Sequence, residues 1–246
     1  MIEVRGLGKK YGERWAVEEL TLEVPAGTFF TFLGPNGAGK TTTMKMMAGL
    51  LRPTTGSVRI AGFDLERHAV AAKAKIGYLP DHPFLHGKLT GREFLRFVGG
   101  LYSMERPAIR DESERVIAEF DLGEEADRLV ESYSHGTRQR LAFAACFLHL
   151  PRVVIIDEPW VGLDPLHIRK TIDFLKARAR EGTTIFMSTH TLDLVDAIGE
   201  RVGIIHHGRL IYDGTSEELK AREGKGLEEV FLAMTAGPKG SQRPPA

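Results

Sequence analysis

The chain has 246 residues, of which 42% are hydrophobic and 27% charged, a composition typical of a globular protein and not of a disordered or fibrous one. The 33 Lys and Arg residues balance the 33 Asp and Glu residues, so the charge gives no support to nonspecific nucleic-acid binding, which needs excess positive charge. No apolar run approaches the roughly 20 residues of a membrane helix, and the single cysteine, Cys146, excludes an intrachain disulfide and is typical of a reducing cytosol.

Short β-prone runs bounded by Gly or Pro dominate the first third of the chain. They predict strands at 21–24, 28–34, 57–62 and 75–80. A helix is predicted over 40–51. Apolar residues then recur at helical spacing, as in Phe94, Phe97 and Leu101, so we interpret residues 82–150 as a mostly helical insertion.

Strand signals return after this insertion, at 153–157, 183–189 and 201–207. The first of these is a continuous apolar run, as expected of a parallel strand buried on both faces. Residues 209–214 are a candidate partner of the last strand, and Ser216 is a candidate cap for a final helical region. Strand–helix alternation interrupted by a helical block predicts an α/β core with an α-helical subdomain.

A complete phosphate-binding motif follows the strand at 28–34. Gly34-Pro35-Asn36-Gly37-Ala38-Gly39-Lys40-Thr41 matches G-x-x-x-x-G-K-[ST] and opens a helix, which is the context that this motif requires. Glycines let backbone N–H groups turn toward phosphates, and the helix N-terminus attracts anions. Lys40 is the candidate cation for the β- and γ-phosphates, Thr41 is a candidate Mg²⁺ ligand, and Thr42 can add a phosphate contact. The alternative, a glycine-rich turn with a chance lysine, does not account for the context.

Two acidic residues, Asp157 and Glu158, end the apolar strand at 153–157. A carboxylate at this place can hold Mg²⁺ directly or through its waters, and the adjacent Glu158 can polarise an attacking water as a general base. A solvated strand end or a helix cap is the structural alternative. The catalytic interpretation of the pair is favoured, because parallel topology brings the ends of strands together with the phosphate loop.

Three further motifs give the chain a specific resemblance to ABC ATPases, running from about Ile2 to Gly214. Residues 134–140, SHGTRQR, resemble the ABC signature, whose common form is LSGGQ followed by QR. Gly162-Leu163-Asp164-Pro165 resembles the D-loop of that family. His190, at the end of a predicted strand, resembles its switch histidine.

This resemblance implies an α/β fold: a P-loop NTPase core with an antiparallel β subdomain and an α-helical subdomain. It implies ATP and Mg²⁺ as cofactors. Tyr11 resembles the aromatic residue that stacks on adenine, with Val17 packing nearby. The residues from Gly34 to Thr42 would hold the phosphates, and Asp81 and Asp157, with Thr41, would support the metal.

The family's catalytic roles fall on Glu158, as the base, and on His190, which would bind the γ-phosphate. The family pairs two subunits head to tail around two ATP molecules. Ser134, His135 and Gly136 would then reach the nucleotide of the other protomer, and Asp164 would report across the dimer interface. Each has a structural alternative: an edge aromatic for Tyr11, a strand-end histidine for His190, a helix cap for Ser134 and a turn for Asp164.

Three positions depart from the common family pattern. Asp81 stands where many relatives carry glutamine, and His135 and Thr137 replace a glycine and the glutamine of the signature. Acidic residues at position 81 and similar signatures occur in exporter-type relatives, which favours export.

The sequence thus predicts an ATP-hydrolysing subunit that powers export through a separate membrane permease, at the cytoplasmic face of the membrane. Its partners would be that permease and a second copy of itself or a similar ATPase, and not nucleic acid. We expect one ATPase domain over 1–236, with its core at 1–81 and 151–215, the helical subdomain at 82–150, C-terminal helices at 216–236 and a flexible tail at 237–246. Two alternatives stay open: an ABC protein acting on nucleic acid or the ribosome, and a nucleotide-binding regulator with little turnover.

Overall fold

The computed structural model describes residues 1–160, 162–198, 201–223 and 231. Its strands are β1 (Ile2–Tyr11), β2 (Arg14–Val24), β3 (Phe29–Leu33), β4 (Thr55–Ile60), β5 (Phe63–Asp64), β6 (Ile76–Leu79), β7 (Val153–Asp157), β8 (Thr184–Thr189), β9 (Arg201–His206) and β10 (Arg209–Thr215). Its helices are α1 (Lys40–Met47), α2 (Ala69–Lys73), α3 (Gly91–Leu101), α4 (Arg106–Glu119), α5 (His135–Phe147), α6 (Pro165–Arg180), α7 (Leu192–Ile198) and α8 (Ser216–Glu223).

The strands form two sheets with different topologies. One is a four-stranded antiparallel sheet in the order β2-β1-β4-β5. The other has six strands in the order β10-β9-β3-β8-β7-β6 and is parallel except at β10, which pairs with β9 as an antiparallel hairpin. The α/β core, the antiparallel subdomain and the helical subdomain are therefore confirmed, as is the pairing expected for residues 209–214.

Side chains that alternate in direction along the parallel strands form a hydrophobic core on each face of the six-stranded sheet. Val154 and Ile156 of β7 pack with α3–α6, whereas Val153 and Ile155 pack with α1 and the antiparallel sheet. All five residues of β7 are buried, as its continuous apolar run predicts. Because side chains alternate along a strand, Asp157 follows the parity of Val153 and Ile155 and lies on the face that carries α1.

The helices of the predicted insertion begin only at Gly91, because residues 82–90 form no helix or strand. A capping box at Thr90 and Glu93 starts α3. Only part of the predicted apolar pattern of α3 is buried: Phe94 packs inside, whereas Phe97 and Leu101 are 44% and 68% exposed.

Several predicted boundaries differ from the structure. The helix predicted over 40–51 ends at Met47, because Gly49 adopts φ 66° and breaks it. The strand β1 is absent from the prediction. The final helix is capped by Thr215, whose Oγ1 accepts from the Glu218 backbone N–H at 3.1 Å, and not by Ser216. The predicted apolar stripe beyond Glu223, apart from Phe231, and the predicted tail at 237–246 lie outside the described residues.

Within the part of the chain that the structure covers, none of the helices has the length and apolar character needed to cross a membrane.

Candidate functional site

The loop between β3 and α1 requires glycine at several positions. Gly37 and Gly39 have φ of 78° and 109°, the left-handed conformation that favours glycine. A Cβ at Gly39 would lie 2.6 Å from the carbonyl oxygen of Ala16, so this position also has no room for a side chain. Gly39 is the N-cap of α1, and no side chain caps that helix. Its first N–H groups are therefore available to an anion.

The same loop is braced from two sides. A Cβ at Gly34 would lie 2.5 Å from the carbonyl oxygen of Ile205 in β9. In the β9–β10 turn, the Gly208 N–H donates to the Ala38 carbonyl at 2.9 Å, and the Gly208 carbonyl accepts from the Glu18 N–H of β2 at 2.9 Å. The loop thus keeps its shape through contacts with both sheets.

A cavity of about 240 Å³ lies over this loop. It is lined by Ala16, Pro35, Asn36, Gly37, Gly39, Lys40, Thr41, Thr42, Asp81 and Glu158. The structure therefore brings the carboxylates of Asp81 and Glu158, which are distant in sequence, to the predicted phosphate loop.

Lys40 is almost fully buried beneath the cavity, with 6% of its surface exposed. Its Nζ donates to the carbonyl oxygens of Gly34, at 2.6 Å, and Pro35, at 3.3 Å. It also forms an ion pair with Glu158 Oε1 at 3.3 Å. A buried ammonium needs such partners, and a phosphate can replace them as a stronger one.

After the ends of β7 and β8, Glu158 lies beside Lys40 and His190 lies beside Glu158. Asp157 is buried, and its Oδ1 accepts from Ser188 Oγ at 2.6 Å. Glu158 has φ 45°, an uncommon conformation for a residue with a side chain. Its Oε2 accepts from His190 Nδ1 at 2.9 Å. Glu158 therefore lies between a cation and an imidazole, within reach of the cavity.

The oxygen atoms of Asp157, buried below the strand end, and of Thr41 and Asp81, on the cavity wall, are of the kind that binds a magnesium ion. Among the described residues, Asp157 Oδ2 is buried without a hydrogen-bond partner, as is the Tyr78 hydroxyl. Burial, and then the charges of Asp157 and Asp81, raise the pKa of Tyr78 to about 12, so its phenol stays neutral. Thr41 and Asp81 line the cavity. A carboxylate, a hydroxyl and phosphate oxygens are the hard ligands that Mg²⁺ takes.

Tyr11 and Val17, the predicted adenine contacts, have different environments. Tyr11 ends β1 and is 53% exposed, with Lys9 Nζ 5.5 Å from its ring centroid. Val17 is fully buried and packs near Gly39. Its neighbour Ala16 lies on the cavity wall, so Val17 supports the phosphate loop from below.

The predicted signature begins α5 outside this cavity. Ser134 is the N-cap, and its Oγ accepts from the Thr137 N–H at 3.1 Å. His135 and Ser134 are exposed. A Cβ added to Gly162 would overlap the His135 ring, and one added to Gly136 would lie 2.8 Å from the Gly162 carbonyl oxygen. The signature and the predicted D-loop thus form one contiguous surface.

Asp164 caps α6 and is held by a single residue. Its Oδ1 accepts from the His167 N–H at 2.9 Å, and its Oδ2 accepts from His167 Nδ1 at 2.7 Å. These bonds, the backbone one first, lower the pKa of Asp164. The carboxylate is therefore ionised near neutral pH and oriented at the end of the helix.

Two polar residues near the acidic pair were not assigned a role by sequence reasoning. Ser188 contacts Asp157 across the β7–β8 ladder. Gln139 of α5 is buried and donates to the Pro159 carbonyl at 2.9 Å. Only the QR that follows the signature could have indicated Gln139. Ser188 had no local signal, because its partner lies 31 residues earlier in the chain.

Comparison with known proteins matches residues 17–161 to the family described as ABC transporter. The daunorubicin resistance ATP-binding protein DrrA3 of Streptomyces coeruleorubidus is 37% identical over 231 residues, which are 94% of this chain and 73% of that protein. The bacitracin transport ATP-binding protein BcrA of Enterococcus faecalis is 37% identical over 229 residues, which are 93% and 73% of the two chains.

A solved structure of the ATP-binding subunit of an ABC transporter superposes with a TM-score of 0.89 at 29% identity, covering 95% of this chain and 99% of that one. A dimeric structure of a bacterial ABC transporter cassette has the same fold, with a TM-score of 0.80 at 24% identity and coverage of 87% and 98%. The region that matches the family contains the phosphate loop, the signature segment and the acidic pair.

Proposed function

The chain belongs to the ABC transporter family, and from that premise we propose that it works as a head-to-tail dimer that drives export through a separate membrane permease. It is an ATP-binding subunit that hydrolyses ATP to ADP and phosphate. The observation that carries the proposal is that Lys40 and Glu158 meet at one glycine-lined cavity, with 3.3 Å between Nζ and Oε1, while His190 Nδ1 lies 2.9 Å from Glu158 Oε2.

We assign the phosphates of ATP to the loop from Gly34 to Thr42. On binding, Lys40 would exchange the Gly34 and Pro35 carbonyls and the Glu158 carboxylate for phosphate oxygens. Glu158 Oε1 would then be free to accept a proton from an attacking water, while His190 holds Oε2. The adenine would stack on Tyr11, whose exposed ring stands at the end of β1.

We assign Mg²⁺ to Thr41, Asp81 and Asp157. The buried, unpaired Asp157 Oδ2 supports this assignment. Held by these residues, Mg²⁺ would supply positive charge against the phosphate groups of ATP. Asp81 is shorter than the glutamine of many relatives, but its carboxylate is a suitable ligand for a hard cation.

The second half of each site would come from a partner protomer. Ser134, His135 and Gly136 lie at the N-terminus of α5, a 13-residue helix, where backbone N–H groups and the helix dipole favour a phosphate. Because His135 packs against Gly162, and Asp164 follows in the same D-loop, the signature and the D-loop can meet a second copy as one surface. The partner would be an identical chain or a similar ATPase subunit.

The face that we assign to the permease follows Asp81 directly. Phe84, Phe97 and Leu101 are 80%, 44% and 68% exposed, and His86 makes edge contacts with both phenylalanine rings, at 5.2 and 5.1 Å between centroids. Clustered exposed apolar residues are typical of a protein interaction surface. The names of relatives that confer drug resistance or transport bacitracin support export as the direction. We propose the cytoplasmic face of the membrane as the location, and one ATPase domain divided as predicted from the sequence.

Substitution of Glu158 by Gln tests this function. The amide cannot accept the water proton, so phosphate release should fall about 100-fold or more. ATP binding should persist, because the phosphate loop is unchanged, and ATP-bound dimers should accumulate. Malachite-green phosphate assays and size-exclusion chromatography with ATP and Mg²⁺ measure the two effects.

Glu124→Gln, an exposed glutamate in the helical block, is the matched control and should behave as wild type. Wild-type protein that releases no phosphate in Mg²⁺ would support a regulator with little turnover instead. Unchanged turnover in Glu158→Gln would remove that residue from the role of base.

A further inference from the structure

One buried hydroxyl contacts both acidic residues of the site. Ser188 on β8 is fully buried. Its Oγ donates to Asp157 Oδ1 at 2.6 Å and accepts from the Glu158 backbone N–H at 3.1 Å. A serine hydroxyl has one proton, so the proton goes to the carboxylate and a lone pair receives the N–H.

The fold, and not the local sequence, creates this contact. Asp157 and Ser188 are register partners on the neighbouring parallel strands β7 and β8. Ser188 has the parity of Phe186, which packs on the α1 face of the sheet, and Asp157 has the parity of Ile155, which packs on the same face. Both side chains are therefore presented on the side of the sheet where the phosphate loop lies.

The hydrogen bond to Asp157 distinguishes its two oxygens. Oδ1 is occupied by Ser188, whereas Oδ2 is buried without a partner among the described residues. A short hydrogen bond to a charged group restrains the carboxylate. Oδ2 is thus the oxygen without a partner in the described part of the chain and the one that we assign to a cation.

The second hydrogen bond acts on the Glu158 backbone. At φ 45° the residue is in the left-handed region, which is strained for a residue with a side chain. A buried N–H at that position needs an acceptor, and Ser188 Oγ supplies it. This conformation is the one in which the Glu158 carboxylate contacts Lys40 and His190.

We propose that Ser188 is a positioning residue of the ATPase site. Its hydroxyl orients Asp157 so that one oxygen is presented to the metal, and it holds Glu158 in the turn that directs the base at the phosphate loop. The inference rests on the proposed function, because it assumes that Asp157 serves Mg²⁺ and Glu158 serves the attacking water.

Ser188→Ala and Ser188→Thr separate the hydroxyl from the residue's other contacts. Removal of a group that orients a metal ligand commonly costs about 10- to 100-fold in metal affinity or activity. We expect Ser188→Ala to lower kcat by that factor, with little change in KM. ATPγS should raise Tm in the presence of Mg²⁺, and we take the Mg²⁺ concentration that gives half of this increase as the Mg²⁺ midpoint. In Ser188→Ala this midpoint should rise by the same factor. Ser188→Thr should restore most of both, and ATPγS binding in EDTA should equal wild type in every variant.

Thr184→Val is the control, because Thr184 is a buried hydroxyl on the same strand that contacts Pro25 and Gly27 instead of the acidic pair. It should stay within about twofold of wild type, as expected for a residue remote from the chemistry. If Ser188→Ala does not fold, Ser188→Cys, a weak donor of similar size, replaces it. An unchanged Mg²⁺ midpoint in the hydroxyl-free variant overturns the proposal. Absence of Mg²⁺-dependent phosphate release in wild type and Thr184→Val would instead overturn the proposed function.

Discussion

Glu158 has two neighbours that restrain the same carboxylate from opposite sides. Lys40 contacts Oε1 and His190 donates to Oε2. Lys40 is buried, whereas His190 is 58% exposed at its side chain. In the proposed function, the lysine would exchange partners when a phosphate enters, while the imidazole would stay on the proposed base. Phosphate binding and the release of Glu158 Oε1 would then depend on the same buried ammonium.

Gly162 offers a test of the signature surface at the level of a single residue. It has φ 84°, and a side chain there would overlap the His135 ring. Gly162→Ala should therefore displace His135 from the surface that would meet the second nucleotide. Because misplacement of a site residue by about 1 Å can cost about 100-fold in rate, we expect ATPase activity to fall about 10- to 100-fold. Steady-state phosphate release measures this.

Gly182→Ala controls for backbone strain alone. Gly182 has φ 102°, but a Cβ there would meet no atom within 4 Å. Both alanine variants should lose about 1–2 kcal/mol of stability from the left-handed conformation. Only Gly162→Ala should lose activity. Equal activity of the two variants would show that the His135–Gly162 contact is unimportant for hydrolysis.

Among the secondary-structure elements, a stacked aromatic pair connects the helical block to β6, the edge strand of the six-stranded sheet. Tyr102, after α3, stacks on His149, after α5, with 3.5 Å between ring centroids. Tyr102 Oη and His149 Nε2 both donate to the Ile76 carbonyl, at 3.2 and 3.1 Å. Ile76 starts β6, the strand that leads to Asp81. The helices are thereby attached to the strand that ends at the cavity.

This connection predicts a pH dependence of stability. Burial lowers the pKa of His149 to about 4, against 6.5 for an unperturbed histidine. The unfolded chain binds the extra proton first. Neutral His149 therefore makes its full contribution to the free energy of unfolding above pH 6.5, and this contribution decreases as the pH falls toward 4. Below pH 4 it changes no further. The total loss is about 3 kcal/mol at most.

His149→Phe keeps a ring against Tyr102 but cannot titrate. The free energy of unfolding of wild type, taken relative to that of this variant, should decrease as the pH falls from 7 to 4. Urea unfolding at pH 7, 6, 5 and 4 measures this change. A constant difference for His149→Phe would show that the pKa of His149 is the same in the folded and the unfolded chain.

Local patterns explain which elements were predictable. The phosphate loop is one continuous segment, and the acidic pair ends a continuous apolar strand, so both were located from residue order alone. The strand β1 was not, because register shifts between Val4 and Lys10 interrupt its alternation with β2. Ser188 could not be found either, since its role depends on the register of two strands that are distant in sequence. The contacts of the signature with a second nucleotide stay a prediction.

At the scale of the whole molecule, short polar links connect the cavity to the surface of the helical block. Gln139 joins α5 to the loop that follows Glu158, and Tyr102 and His149 join α3 and α5 to β6. The exposed face formed by Phe84, Phe97 and Leu101 belongs to the same block. The helical block that carries this face therefore has direct hydrogen bonds both to β6 and to the loop after the acidic pair.

Phe84→Asp tests whether this face binds the permease. Phe84 is 80% exposed, so the charge should leave Tm and the basal ATPase activity of the isolated subunit within about twofold of wild type. An aspartate buried against a partner should instead lower permease-stimulated ATPase in proteoliposomes by about tenfold or more, together with copurification of the two subunits. Val70→Asp, at a valine that is 86% exposed on α2, is the matched control and should keep both. Equal stimulation in the two variants would place the permease on another surface, because a contact through Phe84 cannot tolerate an unpaired charge.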